Sequence, residues 1–236
     1  MRTLVIPDLH LPYTHPGALQ FCKDLYRTHK CNTTVFLGDI VDHTGISRHE
    51  KSPEAPSSND ELALVGRAIR PWYRAFPKAY VCAGNHDFSR VTRQAAEVNI
   101  PETYLRPLNE LWGTPEWKWA DRWRLDGVTY LHGLGAGGKY HAANIMEAML
   151  SSVVVGHVHT VGMIYWKANF ERRIFGMDCG CLVDDRAVAF QYARNVLRKS
   201  ILAAGTVIDG MPELHLMPMA RGEKYHRSNF VKRRFK

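Results

Sequence analysis

The chain has 236 residues, 45% of them hydrophobic and 23% charged, the make-up of a globular protein and not of a disordered or collagen-like one. Its longest apolar runs, such as Leu4-Val5-Ile6 and Val153-Val154-Val155, fall far short of the ~20 residues that cross a bilayer, so no transmembrane helix and no membrane partner are expected. The net charge of +8 is localised: residues 221 to 236 carry seven Lys and Arg against one Glu, a net +6, which leaves +2 for the rest of the chain.

In chain order, short β-branched runs at residues 3–6, 33–37, 79–83, 128–131, 153–155, 163–166, 174–177 and 200–208 predict strands. Between the first three, Ala18, Cys22, Leu25 and His29 recur at helical spacing, as do Leu62, Val65, Ile69 and Phe76 after the capping candidates Ser58-Asn59. The first half therefore reads βαβαβ. The second half is richer in strands, with Asp126-Gly127 as the two-residue turn of a hairpin, and the whole reads as a layered α/β fold. Residues 42–60, with Ser52-Pro53 and Ala55-Pro56, show no periodicity and are expected to form an exposed loop. One domain over residues 1–218 and a basic tail over 219–236 account for the chain. Cysteines 22, 31, 82, 179 and 181 form no CxxC pair, and no apolar leader precedes Asp8, so a reducing, cytoplasmic location is expected.

Ionisable and amide residues follow the strand candidates closely: Asp8-Leu9-His10, Gly38-Asp39-Ile40-Val41-Asp42, Gly84-Asn85-His86-Asp87, His132, and Gly156-His157-Val158-His159. The carboxyl ends of strands in an open α/β sheet converge on one crevice. Five sequence-distant clusters are therefore expected to form one site. Carboxylate, imidazole and amide oxygen are donors that suit Mn, Fe or Zn, and no thiolate is among them.

The order DxH, GDxxD, GNHD, H, GHxH over residues 8–159 resembles the calcineurin-like metallophosphoesterase superfamily. The resemblance implies a four-layer αββα sandwich of two mixed β-sheets flanked by helices. It also implies two divalent transition-metal ions, with manganese favoured and Fe, Zn or Ni as alternatives. Asp8, His10, Asp39 and His159 would hold the first ion, and Asn85, His132 and His157 the second, with Asp39 bridging. A metal-bridging hydroxide would then attack phosphorus while His86, oriented by Asp42, protonates the leaving oxygen. His43 stands where protein phosphatases of the superfamily carry Arg, and Asp87 where they carry Glu. With the basic tail, these departures favour a nuclease-like phosphodiesterase acting on nucleic acid or nucleotides. The alternative is a phosphomonoesterase, that is, a phosphatase acting on a small molecule or a phosphoprotein, and a non-catalytic scaffold is a third reading.

Three further features carry two readings each. His43, Arg48 and His49 are either substrate contacts or members of a solvated loop. The run Gly133-Leu134-Gly135-Ala136-Gly137-Gly138-Lys139-Tyr140 departs from a P-loop at Tyr140, where a small hydroxyl is needed for magnesium. Its amides with Lys139 or His141 either hold a substrate phosphate at a helix start or form a loop that needs glycine to turn. Trp117, Trp119 and Trp123, interleaved with Lys118, Arg122 and Arg124, read more readily as a buried strand face than as a base-stacking strip. The tail is a candidate contact for DNA or RNA.

Overall fold

A computed structural model describes residues 1–47, 55–184 and 199–218. Its first half alternates strand and helix: β1 (Arg2–Ile6), α1 (Ala18–Thr28), β2 (Thr33–Phe36), α2 (Ser58–Ala75) and β3 (Ala79–Cys82). After α3 (Arg90–Glu97) and α4 (Leu108–Leu111) come β4 (Trp117–Ala120), β5 (Arg122–Leu125), β6 (Val128–Leu131), α5 (His141–Met149) and β7 (Ser152–Val155). The strands β8 (Gly162–Ala168), β9 (Arg173–Cys179), β10 (Ala203–Ile208) and β11 (Met211–Leu216) follow.

These strands form two mixed sheets, in the orders β11-β10-β1-β2-β3-β4 and β5-β6-β7-β9-β8. In the first, β1 to β4 run parallel and β10 pairs with β1 antiparallel. In the second, β6, β7 and β9 are parallel between antiparallel β5 and β8. Side chains alternate across a strand, so β1 serves two layers. Leu4 and Ile6 pack outward with Phe21 and Leu25 of α1 and Val65, Ile69 and Trp72 of α2. Val5 turns inward, where Val35, Leu37 and Cys82 meet Tyr130, Val154, Phe175 and Met177 of the second sheet. Ala142, Ile145 and Met146 of α5 cover the outer face of the second sheet at Val153 and Val155. Helices, sheet, sheet and helix make the four-layer αββα sandwich. Strands covered on both faces read as near-continuous apolar runs, which is why β1, β2 and β7 were legible.

Several local expectations need correction. The 42–60 segment is not one exposed loop: Asp42 and Thr44 are buried, residues 44–46 form a turn of 3₁₀ helix, and α2 already starts at Ser58. Ser57, and not Ser58 or Asn59, accepts the capping bond from the Asp60 amide. Glu61 draws the segment inward, its two oxygens accepting from the Thr44 and Gly45 amides at 2.8 and 2.7 Å. β11 escaped notice because Pro212 breaks its strand pattern, and it lies at a sheet edge, where a missing amide donor is tolerated. The tryptophans lie on two strands divided at Asp121. Trp117 is buried and donates to the Phe76 carbonyl, and Trp123 donates to the Val81 carbonyl. All five cysteines are buried thiols. Among the described residues, no helix is long and apolar enough to cross a membrane. Arg48, His49 and the tail lie outside the described residues.

Candidate metal centre

Each predicted cluster leaves the carboxyl end of a strand: Asp8 and His10 after β1, Asp39 after β2, Asn85 and His86 after β3, His132 after β6, His157 and His159 after β7. β1, β2 and β3 belong to one sheet, β6 and β7 to the other, so the site spans the top of the sandwich. The chain pays locally for this convergence. Of ten non-glycine residues with positive φ among the described residues, five are here: Asp8, His10, Asp39, His43 and His157. Such backbone persists only where its surroundings over-determine it. Two glycines permit the close approach: a Cβ on Gly84 would sit 2.2 Å from Asp39 Oδ1, and one on Gly156 would sit 2.2 Å from Asp8 Oδ2.

The imidazoles are held from behind. His10 Nδ1 bonds Asp42 Oδ1 at 2.7 Å and His132 Nδ1 bonds the Leu37 carbonyl at 2.9 Å, so each presents Nε2 to the centre. A ring whose far nitrogen is fixed this way has a set tautomer and orientation, the usual support for a metal-ligating histidine. The Asp42 carboxylate also accepts a bond from the Thr44 hydroxyl. The His157 amide donates to both oxygens of Asp8 at 3.1 Å, and the His86 amide donates to Asp39 Oδ1 at 2.8 Å.

Donor atoms then converge. His132 Nε2 lies 3.0 Å from Asn85 Oδ1, 3.2 Å from His157 Nδ1 and 3.2 Å from Asp39 Oδ2. Asp39 Oδ2 is also 3.5 Å from His10 Nε2, and Asp8 Oδ1 is 3.4 Å from His159 Nε2. Metal–ligand bonds of about 2.1 Å give polyhedron edges of roughly 3.0 to 3.4 Å, which these separations match. Ligand atoms of Asp8, His10 and His159, of His10, Asp39 and His86, and of Asp39, His132 and His157 each lie within 4.8 Å of one another. The donor set therefore fits divalent transition metals.

Charge points the same way. Burial alone would raise Asp39, yet His132, His86 and His10 hold its carboxyl well below the usual range. Burial alone would lower His132, but Asp39 and Asp8 push it up to about 10. The buried carboxylates thus demand cationic neighbours, the condition a divalent ion meets. Burial lowers His10 and His157, whereas His86 is raised because Asp42 and Asp39 outweigh burial.

His86 sits at the rim, where Nδ1 is 2.7 Å from the Asp42 carbonyl and Nε2 is 3.0 Å from a guanidinium nitrogen of Arg90. Asp42 thus positions His86 through its carbonyl, while its carboxylate serves chiefly His10. Arg90, at the start of α3, also donates to the Asp42 carbonyl at 2.8 Å. Sequence reading missed it, although it stands four residues after His86, one helical turn on. Asp87 is a structural clip. Its oxygens accept from the Val41 and Gly84 amides at 3.0 and 3.1 Å, and burial followed by the Asp39 charge pushes it up to about 7.

Three expected substrate contacts fare differently. His141 is fully buried, with Nδ1 on Asp178 Oδ1 at 2.7 Å and Nε2 on the Gly133 carbonyl at 2.8 Å, so neither nitrogen faces a substrate. Its expected role in holding a phosphate is corrected to one of fastening the glycine loop. Lys139 is exposed on that loop, with its ammonium 5.2 Å from the centre of the Tyr140 ring. His43 places Nδ1 2.7 Å from the His86 carbonyl, beside the centre.

A family model described as calcineurin-like phosphoesterase matches residues 1–182. The chain belongs to this family. It is thereby a metal-dependent phosphoric ester hydrolase. Among solved structures, a metallophosphoesterase from Sphaerobacter thermophilus is 15% identical, with 100% of this chain and 95% of that one covered at a TM-score of 0.46. The phosphoesterase YfcE from E. coli is 14% identical, covering 89% of each chain at a TM-score of 0.43. A nuclease MPE from Pseudomonas putida is 16% identical, covering 90% of this chain and 86% of that one at a TM-score of 0.41. Among curated proteins, none matches the chain.

Proposed function

We propose that the chain is a phosphodiesterase that cleaves nucleic acid or nucleotides at a centre of two divalent metal ions, with manganese favoured. The observation that carries the dinuclear reading is Asp39 Oδ2, which lies 3.2 Å from His132 Nε2 and 3.5 Å from His10 Nε2, between two groups of donors. In this reading Asp8, His10, Asp39 and His159 hold one ion, and Asn85, His132 and His157 hold the other together with Asp39. When bound, the ions supply Lewis-acid chemistry for in-line displacement at phosphorus.

The chain's own residues do the rest. Asp42 and the Leu37 carbonyl keep His10 and His132 in the ligating tautomer. His86, steadied at Nδ1 by the Asp42 carbonyl, delivers a proton from Nε2 to the leaving oxygen. Arg90 donates to an unprotonated Nε2 in the resting arrangement; when it yields that position, Nε2 takes up a proton from solvent, which it then gives to the leaving oxygen while Arg90 keeps a positive charge beside it. The diester preference draws support from the basic tail and from His43 and Asp87, which depart from the protein phosphatase pattern. Asp87 is committed to two backbone amides. A panel run on manganese-reconstituted protein tests the reading, comparing aryl diester, aryl monoester, single- and double-stranded DNA, and RNA. Faster turnover of the diester and cleavage of at least one nucleic acid are expected, and turnover confined to monoesters overturns the preference.

A further inference from the structure

A second imidazole–carboxylate cluster lies at the β11 edge of the first sheet, away from β4. Glu213 and His215 are two residues apart on β11 and so share a face. Their register partners on β10, Thr206 and Ala204, lie on the helix side, where Ala204 packs into the core beneath α1. His29, the residue that ends α1, completes the group. Its Nδ1 is 3.9 Å from Glu213 Oε2, His215 Nδ1 is 3.7 Å from Glu213 Oε1, and the two ring centres are 4.6 Å apart.

Two imidazole Nδ1 atoms thus face one carboxylate. The far nitrogen of His215, Nε2, is 2.9 Å from the hydroxyl of the fully buried Thr206. The hydroxyl can either donate to Nε2 or accept from it; in the tautomer where it accepts, Nδ1 turns a lone pair toward Glu213 and is a ligating atom. A fixed outer nitrogen is also what a ligating histidine needs. The end of α1 contributes the partial negative charge of its last carbonyls. The Arg2 guanidinium nearby is turned to the His29 carbonyl at 2.8 Å and to Asp209 at 3.6 Å.

We propose that His29, Glu213 and His215 form a third metal site, separate from the catalytic centre, for a zinc-like divalent ion that ties the end of α1 to the edge strand. Two imidazoles and a carboxylate are a donor set suited to zinc. The gaps of 3.7 and 3.9 Å exceed the roughly 3.3 Å edge of a zinc tetrahedron. Glu213, 61% exposed, has room to close them, and its open side leaves the fourth position to water.

The test is the zinc content of the full-length protein after equilibrium dialysis against zinc, for wild type, His29→Ala and Glu213→Gln. Each substitution is expected to remove one equivalent of zinc and leave aryl diester turnover unchanged. In a variant whose catalytic centre is disabled, Asp8→Ala with Asp39→Ala, zinc should still raise the thermal midpoint in proportion to the logarithm of its concentration, and Glu213→Gln should abolish that rise. An unchanged zinc count in both His29→Ala and Glu213→Gln overturns the proposal and assigns the cluster to protonated ion pairs. Glu213 is 61% exposed and His29 19%, and neither lies in the catalytic centre, so the count in these two variants stands even if the disabled variant does not fold.

Discussion

Two histidine–aspartate pairs in this protein are nearly identical at one end and opposite at the other. His10 Nδ1 bonds Asp42 at 2.7 Å and His141 Nδ1 bonds Asp178 at 2.7 Å, and all four residues are buried. The difference is in the second ring nitrogen. His10 Nε2 faces Asp39 Oδ2 at 3.5 Å across a group of donors, whereas His141 Nε2 meets the Gly133 carbonyl at 2.8 Å. A carboxylate behind an imidazole therefore does not mark function. What the other nitrogen meets decides between a ligand and a fastening.

Breaking the first pair's surroundings should have the largest effect. Asp39→Ala removes the oxygen that lies between the two donor groups, and is expected to abolish diester turnover and lower the metal content of the protein from about two ions per chain. Elemental analysis beside a turnover assay checks both, and an Asp39→Ala protein that retains two ions and turnover removes Asp39 from the centre. His86→Ala comes next. It should keep the metals while slowing turnover by roughly 10²- to 10⁴-fold, with a smaller loss for a nitrophenolate leaving group that needs no proton. Loss of metal in that variant would make His86 a ligand, as its grouping with His10 and Asp39 allows.

The comparison itself is sharpest in a matched pair of substitutions. Asp42→Asn should weaken metal binding by about 10- to 100-fold, because the group behind His10 sets its tautomer. Asp178→Asn should leave metal affinity and turnover alone and cost about 1 to 3 kcal/mol of folding stability, since buried bonds to His141 and the Ala142 amide are weakened. Metal titration and urea unfolding of both variants separate the two outcomes, and equal effects on metal affinity would erase the distinction. The smallest effect on the chemistry is expected from removing residues 221–236. Nucleic-acid affinity should fall and its salt dependence flatten, while aryl diester turnover stays as before. Titrations at two salt concentrations measure it, and an unchanged salt slope leaves the tail without a role in binding.

How much was legible follows from how far each cause reaches along the chain. The two-face burial of β1, β2 and β7 writes itself into consecutive apolar residues, and the motif residues stand directly after those strands. Pro212 hid β11, and no local pattern announced that Glu61 would reach back to the Thr44 and Gly45 amides. Arg90 was passed over because one arginine among many carries no signal until the turn beginning at Asn85 sets it beside His86. His141 was left between a phosphate contact and a turning loop because its partner Asp178 lies 37 residues away.

The sequence by itself determined a layered α/β fold, the order of the motifs and the residue types gathered at the strand ends, since apolar periodicity and short-range spacing are properties of the chain, while the four-layer αββα arrangement followed from the family resemblance those motifs carry. Only the tertiary structure decided which imidazole nitrogen faces the centre and which is bonded elsewhere. It alone brought His29 to within 4 Å of Glu213, residues 184 positions apart in the chain. The physical reason is that a side chain's chemistry depends on partners within a few ångströms, and those partners are supplied by sheet order and strand register more than by neighbours in the sequence.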